Sequence, residues 1–258
     1  MSNKAFFHVD DLSKRFGGIV ATDHVSIQVD KNQIYGIIGP NGAGKTTLFN
    51  MISGVYAPSG GHIYLDGVQL DGLPMHKIAQ IGVARTFQNI RLFSDLTCYE
   101  NLLASCQKNI QYRFFDGIFR TPKCRREERQ LEGQCREYLR EVGLETQAEQ
   151  LARNLPYGMQ RRLEIARAMI TSPKLLLLDE PAAGMNEEES QQLIEIVKDL
   201  QRRHDVTIII IDHHMDVIMD VCDRITVINF GVPIAQGTPE EIQVNPDVIT
   251  AYLGVDES

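Results

Sequence analysis

Residues 39–46 read Gly-Pro-Asn-Gly-Ala-Gly-Lys-Thr, an unbroken match to the phosphate-binding pattern G-x-x-x-x-G-K-[ST]. The apolar run Ile34–Ile38 precedes this segment, and Thr47-Leu48-Phe49 continues it as a helix would. The pattern binds phosphate when it connects a strand to the start of a helix. The segment therefore predicts an α/β fold with a nucleotide site at the carboxyl end of a strand.

Each part of this loop has a predicted task. The glycines allow successive backbone N–H groups to point at phosphate oxygens, and the helix start adds its positive dipole end. Lys45 is expected to reach the β- and γ-phosphates, and the Thr46 hydroxyl is expected to bind Mg²⁺. The predicted nucleotide contacts of the loop are Gly39, Pro40, Asn41, Gly42, Ala43, Gly44, Lys45, Thr46 and Thr47.

The composition excludes several classes of protein. The net charge is −8, and no basic stripe is present, so nucleic acid is not an expected partner. The five cysteines contain no C-x-x-C pair, which favours reduced thiols over a zinc site or a disulfide framework. The chain starts without a long apolar segment, and its apolar runs are too short to span a bilayer. Any role at a membrane is therefore expected to depend on partner proteins.

The order of patterns along the chain predicts an α/β core interrupted by a helical insertion. Alternation through Val25, Ile27 and Val29 indicates an antiparallel strand pair near the amino terminus. A three- and four-residue apolar period ending near Gly143 indicates an amphipathic helix. From Pro173 the strands resume with the continuous apolar runs 175–178 and 206–211, which are typical of buried parallel strands.

A pair of carboxylates ends the first of these runs. Asp179 suits a direct or water-mediated role at Mg²⁺, and Glu180 can polarise the water that attacks the γ-phosphorus. Acidic pairs after strands are common, and alone this one would indicate only a solvated strand end. Together with the phosphate-binding loop, it favours nucleotide hydrolysis.

The chain resembles the ATPase subunit of an ATP-binding-cassette (ABC) transporter over nearly its whole length. The resemblance rests on five motifs in this order: the loop at 39–46, Phe87-Gln88, the segment 154–160, the strand ending in Asp179-Glu180, and His213. The chain most resembles the larger of the two ATPase types in branched-chain amino-acid importers. The segments that carry the narrower resemblance are 85–93, 155–158, 181–186 and 245–254. The resemblance implies one ABC ATPase domain over 1–258, with a P-loop core and β layer at 1–90 and 173–258 and a helical signature subdomain at 91–172.

The same resemblance implies roles for three residues outside the loop. Phe16 is expected to stack on adenine, although a structural Phe remains the alternative. Gln88 is expected to reach Mg²⁺ and the attacking water, and a buried structural Gln is the less favoured alternative. His213 is expected to sense the γ-phosphate; the adjacent His214 leaves some ambiguity, but its register in the motif favours His213.

The signature segment departs from the family pattern Leu-Ser-Gly-Gly-Gln. Pro156 and Tyr157 replace the Ser and the first Gly, and Met159 replaces the Gln. Gly158 remains at the predicted start of a helix whose amides can face phosphate. We expect Leu155, Pro156, Tyr157, Gly158 and Met159 to contact the ATP of a partner subunit. The lost hydroxyl and amide predict that the two composite sites of an assembly are unequal.

The resemblance also implies partners and a location. These are a second ABC ATPase subunit, related or identical, two integral membrane permease subunits and, indirectly, a solute-binding protein. The chain is expected at the cytoplasmic face of the inner membrane, with ATP and Mg²⁺ as cofactors. The ATPase of a lipid or polysaccharide exporter is the alternative. A soluble ABC protein outside transport is less favoured, because two cassettes or a long coiled coil are missing.

Overall fold

The computed structural model describes residues 5–106, 122–213 and 215–253. The strands, in chain order, are β1 Phe7–Phe16, β2 Ile19–Val29, β3 Ile34–Ile38, β4 Gly60–Leu65, β5 Val68–Gln69, β6 Val83–Arg85, β7 Leu175–Asp179, β8 Thr207–Ile211, β9 Arg224–Asn229 and β10 Val232–Gly237. The helices are α1 Lys45–Ile52, α2 Met75–Ile81, α3 Cys98–Ser105, α4 Pro122–Glu141, α5 Tyr157–Met169, α6 Glu187–His204, α7 Met215–Val221, α8 Pro239–Gln243 and α9 Pro246–Leu253. Short 3₁₀ turns lie at Glu145–Gln147 and Ala152–Asn154.

The strands form two sheets. Strands in the order β2-β1-β4-β5 make an antiparallel layer, and strands in the order β10-β9-β3-β8-β7-β6 make a second sheet that is parallel except at β10. Every residue of β3, β7 and β8 is buried, which explains their continuous apolar sequences. The predicted α/β class, the mostly parallel sheet and the antiparallel amino-terminal layer are confirmed.

Several local predictions are also confirmed. Gly143 follows α4 with a φ of 71°, as expected for a glycine that ends a helix. Thr238 caps α8 through a capping box, with proline in the first turn. The run 206–211 corresponds to β8, which begins one residue later than the apolar pattern.

The chain divides into two compact units. One unit comprises Met1–Gln88 and Lys174–Ser258, and the other comprises Asn89–Pro173. Both sheets belong to the first unit, whereas α3, α4 and α5 belong to the second. Within the described ranges, no helix has the length and apolar character needed to cross a bilayer.

Candidate active site

The phosphate-binding loop joins β3 to α1, and two of its glycines are required by close backbone contacts. A Cβ on Gly39 would lie 2.0 Å from the carbonyl oxygen of Ile228, and a Cβ on Gly44 would lie 2.2 Å from that of Ala21. Gly44 also has a φ of 98° at the N-cap of α1. Gly42 has a φ of 80° but faces open space. Steric contacts therefore require glycine at positions 39 and 44, whereas at position 42 only the backbone conformation favours it.

The loop is attached to the hairpin between β9 and β10. The Gly231 N–H donates to the Ala43 carbonyl oxygen at 2.9 Å, and the Asp23 N–H donates to the Gly231 carbonyl oxygen at 2.9 Å. These bonds connect the loop, β2 and the hairpin. Local sequence patterns do not predict them, because the paired residues are far apart in the chain.

Lys45 is buried against the backbone of its own loop. Its Nζ donates to the carbonyl oxygens of Gly39 at 2.5 Å and Pro40 at 2.9 Å. Burial lowers the pKa of the ammonium group, and the charges of nearby carboxylates, with Glu180 the largest contributor, oppose this shift. The cation therefore lies inside the loop, where a phosphate oxygen would offer it a stronger, charge-assisted bond.

Asp179 lies at the end of β7 in a buried ion pair that sequence analysis missed. Arg85 Nη2 donates to Asp179 Oδ2 at 2.7 Å, and the two side chains are 6% and 5% exposed. The Asp179 N–H donates to Thr86 Oγ1 at 3.4 Å. A useful signal was present in the sequence: a charged residue in a strand of a buried sheet requires an opposite charge nearby.

Two of the predicted catalytic residues lie against the carboxylate of Glu180. Gln88 Nε2 donates to Glu180 Oε2 at 2.8 Å, and His213 Nδ1 lies 3.6 Å from the same oxygen. The Glu180 backbone has a φ of 47°, and its N–H donates to the Ile211 carbonyl oxygen at 2.7 Å. The structure thus brings together three side chains that are widely separated in sequence and that follow three neighbouring strands, β6, β7 and β8.

Asp212 is a further buried acid beside this group. Its side chain is fully buried, Oδ2 accepts from the Ala182 N–H at 3.4 Å, and Oδ1 lies 3.8 Å from His213 Nδ1. It therefore connects the segment after Glu180 to His213. His214, the alternative sensing residue, lies outside the described residues.

Phe16 lies at the end of β1 in a small aromatic cluster. The residue is 42% exposed, and its ring meets the Tyr56 ring edge-on, with centroids 5.2 Å apart. Lys14 Nζ lies 5.1 Å from the Phe16 centroid and 5.7 Å from the Tyr56 centroid. The exposed π-face is suitable for stacking a base. Sequence analysis missed Tyr56 and Lys14, which belong to no fixed motif.

The signature segment lies in the second unit at the start of α5. Pro156 is the N-cap and supplies no side-chain hydrogen bond, and Tyr157 is 44% exposed. Leu155 and Gly158 are buried, and Met159 is partly buried. Gln160 Nε2 donates to the Leu155 carbonyl oxygen at 2.9 Å. Backbone amides and an exposed aromatic ring therefore form the tip of the helix.

The first turns of α5 are anchored by a buried ion pair. Arg161 Nη1 donates to Glu164 Oε2 at 2.7 Å, and the side chains are 0% and 3% exposed. Glu164 Oε1 accepts from the Arg91 N–H at 3.2 Å, and Arg161 Nη2 lies 3.5 Å from the Tyr157 hydroxyl. This pair connects the signature helix to the segment that follows Gln88 in sequence.

The donor set fits a metal ion that is shared with phosphate. No group of three or more His, Cys, Asp or Glu capable of holding a metal occurs in the part of the chain that the structure describes. The predicted ligands Thr46, Gln88 and Asp179 offer a hydroxyl, an amide and a carboxylate oxygen. Mg²⁺ prefers oxygen ligands and is commonly held by one or two carboxylates together with substrate phosphates.

Comparison with known proteins identifies the class that this fold and loop define. The sequence profile of the family described as "ABC transporter" matches residues 22–183. The structure of the ADP conformation of MJ1267, an ATP-binding cassette of an ABC transporter, superimposes with a TM-score of 0.83 at 29% identity. That match covers 96% of this chain and 98% of the other. The chain belongs to the ABC transporter family and is one of its ATP-binding, ATP-hydrolysing cassettes.

Within that family, the chain is similar to a narrower group. The profile described as "Branched-chain amino acid ATP-binding cassette transporter" matches residues 232–258. The high-affinity branched-chain amino acid transport ATP-binding protein BraF of Pseudomonas aeruginosa is 49% identical over 98% of this chain and 99% of its own length. The corresponding LivG protein of Escherichia coli is 47% identical over 95% and 96%. The predicted resemblance to this group is confirmed.

Proposed function

We propose that the chain is the ATP-hydrolysing subunit that energises import of branched-chain or related hydrophobic amino acids. The observation that carries the ATPase chemistry is the convergence of Gln88 and His213 on Glu180 Oε2, in the unit that contains the phosphate-binding loop. Similarity to BraF over the whole length supports the choice of transport substrate.

ATP binding is assigned to the loop and to Phe16. The amides of 39–47 and the start of α1 would hold the phosphates, and Lys45 would exchange its carbonyl partners for β- and γ-phosphate oxygens. The exposed Phe16 ring would stack on adenine.

Mg²⁺ is assigned to Thr46, Gln88 and Asp179, because their oxygen donors suit it. When bound, it would neutralise charge on the β- and γ-phosphates. Gln88 already contacts Glu180, so the same residue can reach both the metal and the attacking water.

Glu180 is assigned as the general base. Its carboxylate would accept a proton from the water that attacks the γ-phosphorus, and the Gln88 amide would orient that carboxylate. His213 would donate a hydrogen bond to the γ-phosphate. Its imidazole is 46% exposed and can reach a ligand without further opening of the protein.

Hydrolysis is expected to require a second ATPase subunit. The amides at the tip of α5, with Leu155, Pro156, Tyr157, Gly158 and Met159, would cover the ATP held by a head-to-tail partner. Such closure excludes water and stabilises charge in the transition state. The partner would be identical or related, and two membrane permeases at the cytoplasmic face would receive the motion through the Gln88 segment. A solute-binding protein would deliver the amino acid.

The first experiment tests the chemistry in the purified transporter assembly that contains the full-length chain and its partner ATPase. Glu180→Gln should retain ATP binding but lower turnover by at least about 100-fold, because the general base is lost. Lys45→Ala should lose tight ATP binding. Glu187→Gln, which neutralises an exposed carboxylate in the first turn of α6, is the matched control and should behave as the parent. Parental turnover in Glu180→Gln would exclude Glu180 as the base.

A second experiment tests the transport function in cells from which the gene has been removed. Uptake of radiolabelled leucine should fall and be restored by the parent chain, but not by Glu180→Gln. Uptake of a charged amino acid is the control and should not change. Unchanged leucine uptake in the deletion strain would contradict the proposed substrate class.

A further inference from the structure

Arg85 is a buried cation to which the proposed ATPase chemistry gives no role. It ends the edge strand β6, and its side chain is 6% exposed. Nη2 donates to Asp179 Oδ2 at 2.7 Å, and Nη1 donates to Asn50 Oδ1 at 2.8 Å and Ser53 Oγ at 2.9 Å. The guanidinium therefore connects the carboxylate at the end of β7 to the last turn of α1, the helix that begins at Lys45.

Aromatic rings further restrict this guanidinium. Its central carbon lies 4.9 Å from the Phe87 ring centroid and 5.6 Å from that of Phe49. A planar guanidinium can stack on rings while its fork of N–H groups bonds in several directions. A lysine ammonium could supply the charge but not this geometry. The arrangement requires arginine in particular, and it fixes one orientation of the Asp179 carboxylate.

The segment that contains Arg85 contacts both acids of the site. Arg85 holds the Asp179 side chain, Thr86 Oγ1 accepts from the Asp179 N–H at 3.4 Å, and Gln88 donates to Glu180. Four consecutive residues, 85–88, thus determine the positions of the two neighbouring carboxylates. A displacement of this segment would alter both.

We propose that Arg85 is a positioning residue for Asp179. By occupying Oδ2, it leaves Oδ1 as the oxygen that would bind Mg²⁺ when MgATP is present, so that metal affinity would depend on the position of residues 85–88. The inference rests on the proposed nucleotide and Mg²⁺ site and adds to it the residue that orients one metal ligand. Groups that orient metal ligands are typically worth about 10- to 100-fold in metal affinity.

Nucleotide affinity with and without metal tests this role without measuring turnover. The dissociation constant of the non-hydrolysable analogue AMP-PNP is measured for the full chain in EDTA and in excess Mg²⁺. The ratio of the value in EDTA to the value in Mg²⁺ gives the contribution of the metal to binding. Arg85→Met should lower this ratio by about 10- to 100-fold. Arg85→Lys, which keeps the charge but loses the fork, should lower it by less. Manganese titration followed by electron paramagnetic resonance should show the same order.

Ser53→Ala is the matched control, because it removes one Arg85 contact and leaves the bond to Asp179 intact. Its ratio should equal that of the parent. An unchanged ratio in Arg85→Met would overturn the inference. If affinity falls equally in EDTA and in Mg²⁺, the ratio is unchanged and Arg85 has a merely structural role. If Arg85→Met does not fold, Arg85→Lys decides by the same criterion. A parent chain that gains no affinity from Mg²⁺ would overturn the proposed metal site as well.

Discussion

The phosphate-binding loop of 39–46 and the signature segment of 154–160 are both proposed to contact nucleotide, but they are constrained differently. In the loop, Gly39 and Gly44 lie so close to neighbouring backbone that a Cβ would reach a carbonyl oxygen. In the signature segment, the tip of α5 presents the exposed Tyr157 after an N-cap, Pro156, that makes no side-chain bond. Steric contacts thus restrict the phosphate-binding loop to particular residues, whereas they restrict the signature segment only weakly.

This difference explains why one motif is intact and the other is degenerate. A loop surrounded by fixed backbone cannot accept a larger side chain without moving β2 or the hairpin between β9 and β10. A helix N-terminus can offer its amides with many different side chains at its first positions. The constraint in the helical unit lies one turn further on, at the buried pair Arg161 and Glu164.

The largest effect is expected from Arg161→Met. This substitution leaves the buried Glu164 carboxylate without the guanidinium that holds it, which should lower the free energy of unfolding by about 3–5 kcal/mol. Urea denaturation measures this loss.

Arg136→Met is the matched control for this prediction. Arg136 pairs with Glu132 on the surface of α4, with both side chains about half exposed. Its loss should cost no more than about 1 kcal/mol. Similar losses in the two variants would mean that the buried Arg161 pair contributes no more to stability than the exposed Arg136 pair on α4.

The next effect concerns the loop and compares two of its glycines. Gly44→Ala places a Cβ 2.2 Å from the Ala21 carbonyl oxygen at a φ of 98°, so strain and overpacking should together cost about 2–4 kcal/mol and weaken ATP binding. Gly42→Ala meets no atom within 4 Å and should cost only about 1–2 kcal/mol from its positive φ. Unfolding in urea and ATP titration measure both quantities. Equal losses at Gly42 and Gly44 would contradict the steric account.

Much of the fold could be predicted because it depends on local patterns. The buried strands β7 and β8 follow from continuous apolar runs, and the capping box at Thr238 follows from its own four residues. The contacts that complete the site are not local. Arg85 and Asp179 are 94 positions apart, and no periodicity encodes their pairing.

Arg161 shows a second limit of sequence analysis. A charged residue on a predicted amphipathic helix is ordinarily assigned to the solvent face. Arg161 is instead fully buried, because Glu164 lies one turn away and compensates its charge. The apolar period of a helix predicts which apolar residues are buried. It cannot identify a buried ion pair, because the pattern assigns both charged residues to the solvent face.

The smallest effect is expected at the signature tip, from the double variant Pro156→Ser and Met159→Gln. The serine restores both an N-cap acceptor and a hydroxyl that can reach the partner's ATP, and the glutamine restores an amide. Capping should raise the free energy of unfolding by about 1 kcal/mol. A hydrogen bond to charged phosphate should raise turnover in the assembled transporter by no more than about tenfold, since the added bond is partly offset by lost hydration. Pro156→Ser alone separates the two contributions. If stability rises while turnover stays at the parental rate, the hydroxyl serves only as a cap, and the degenerate tip is no weaker at phosphate than the family pattern.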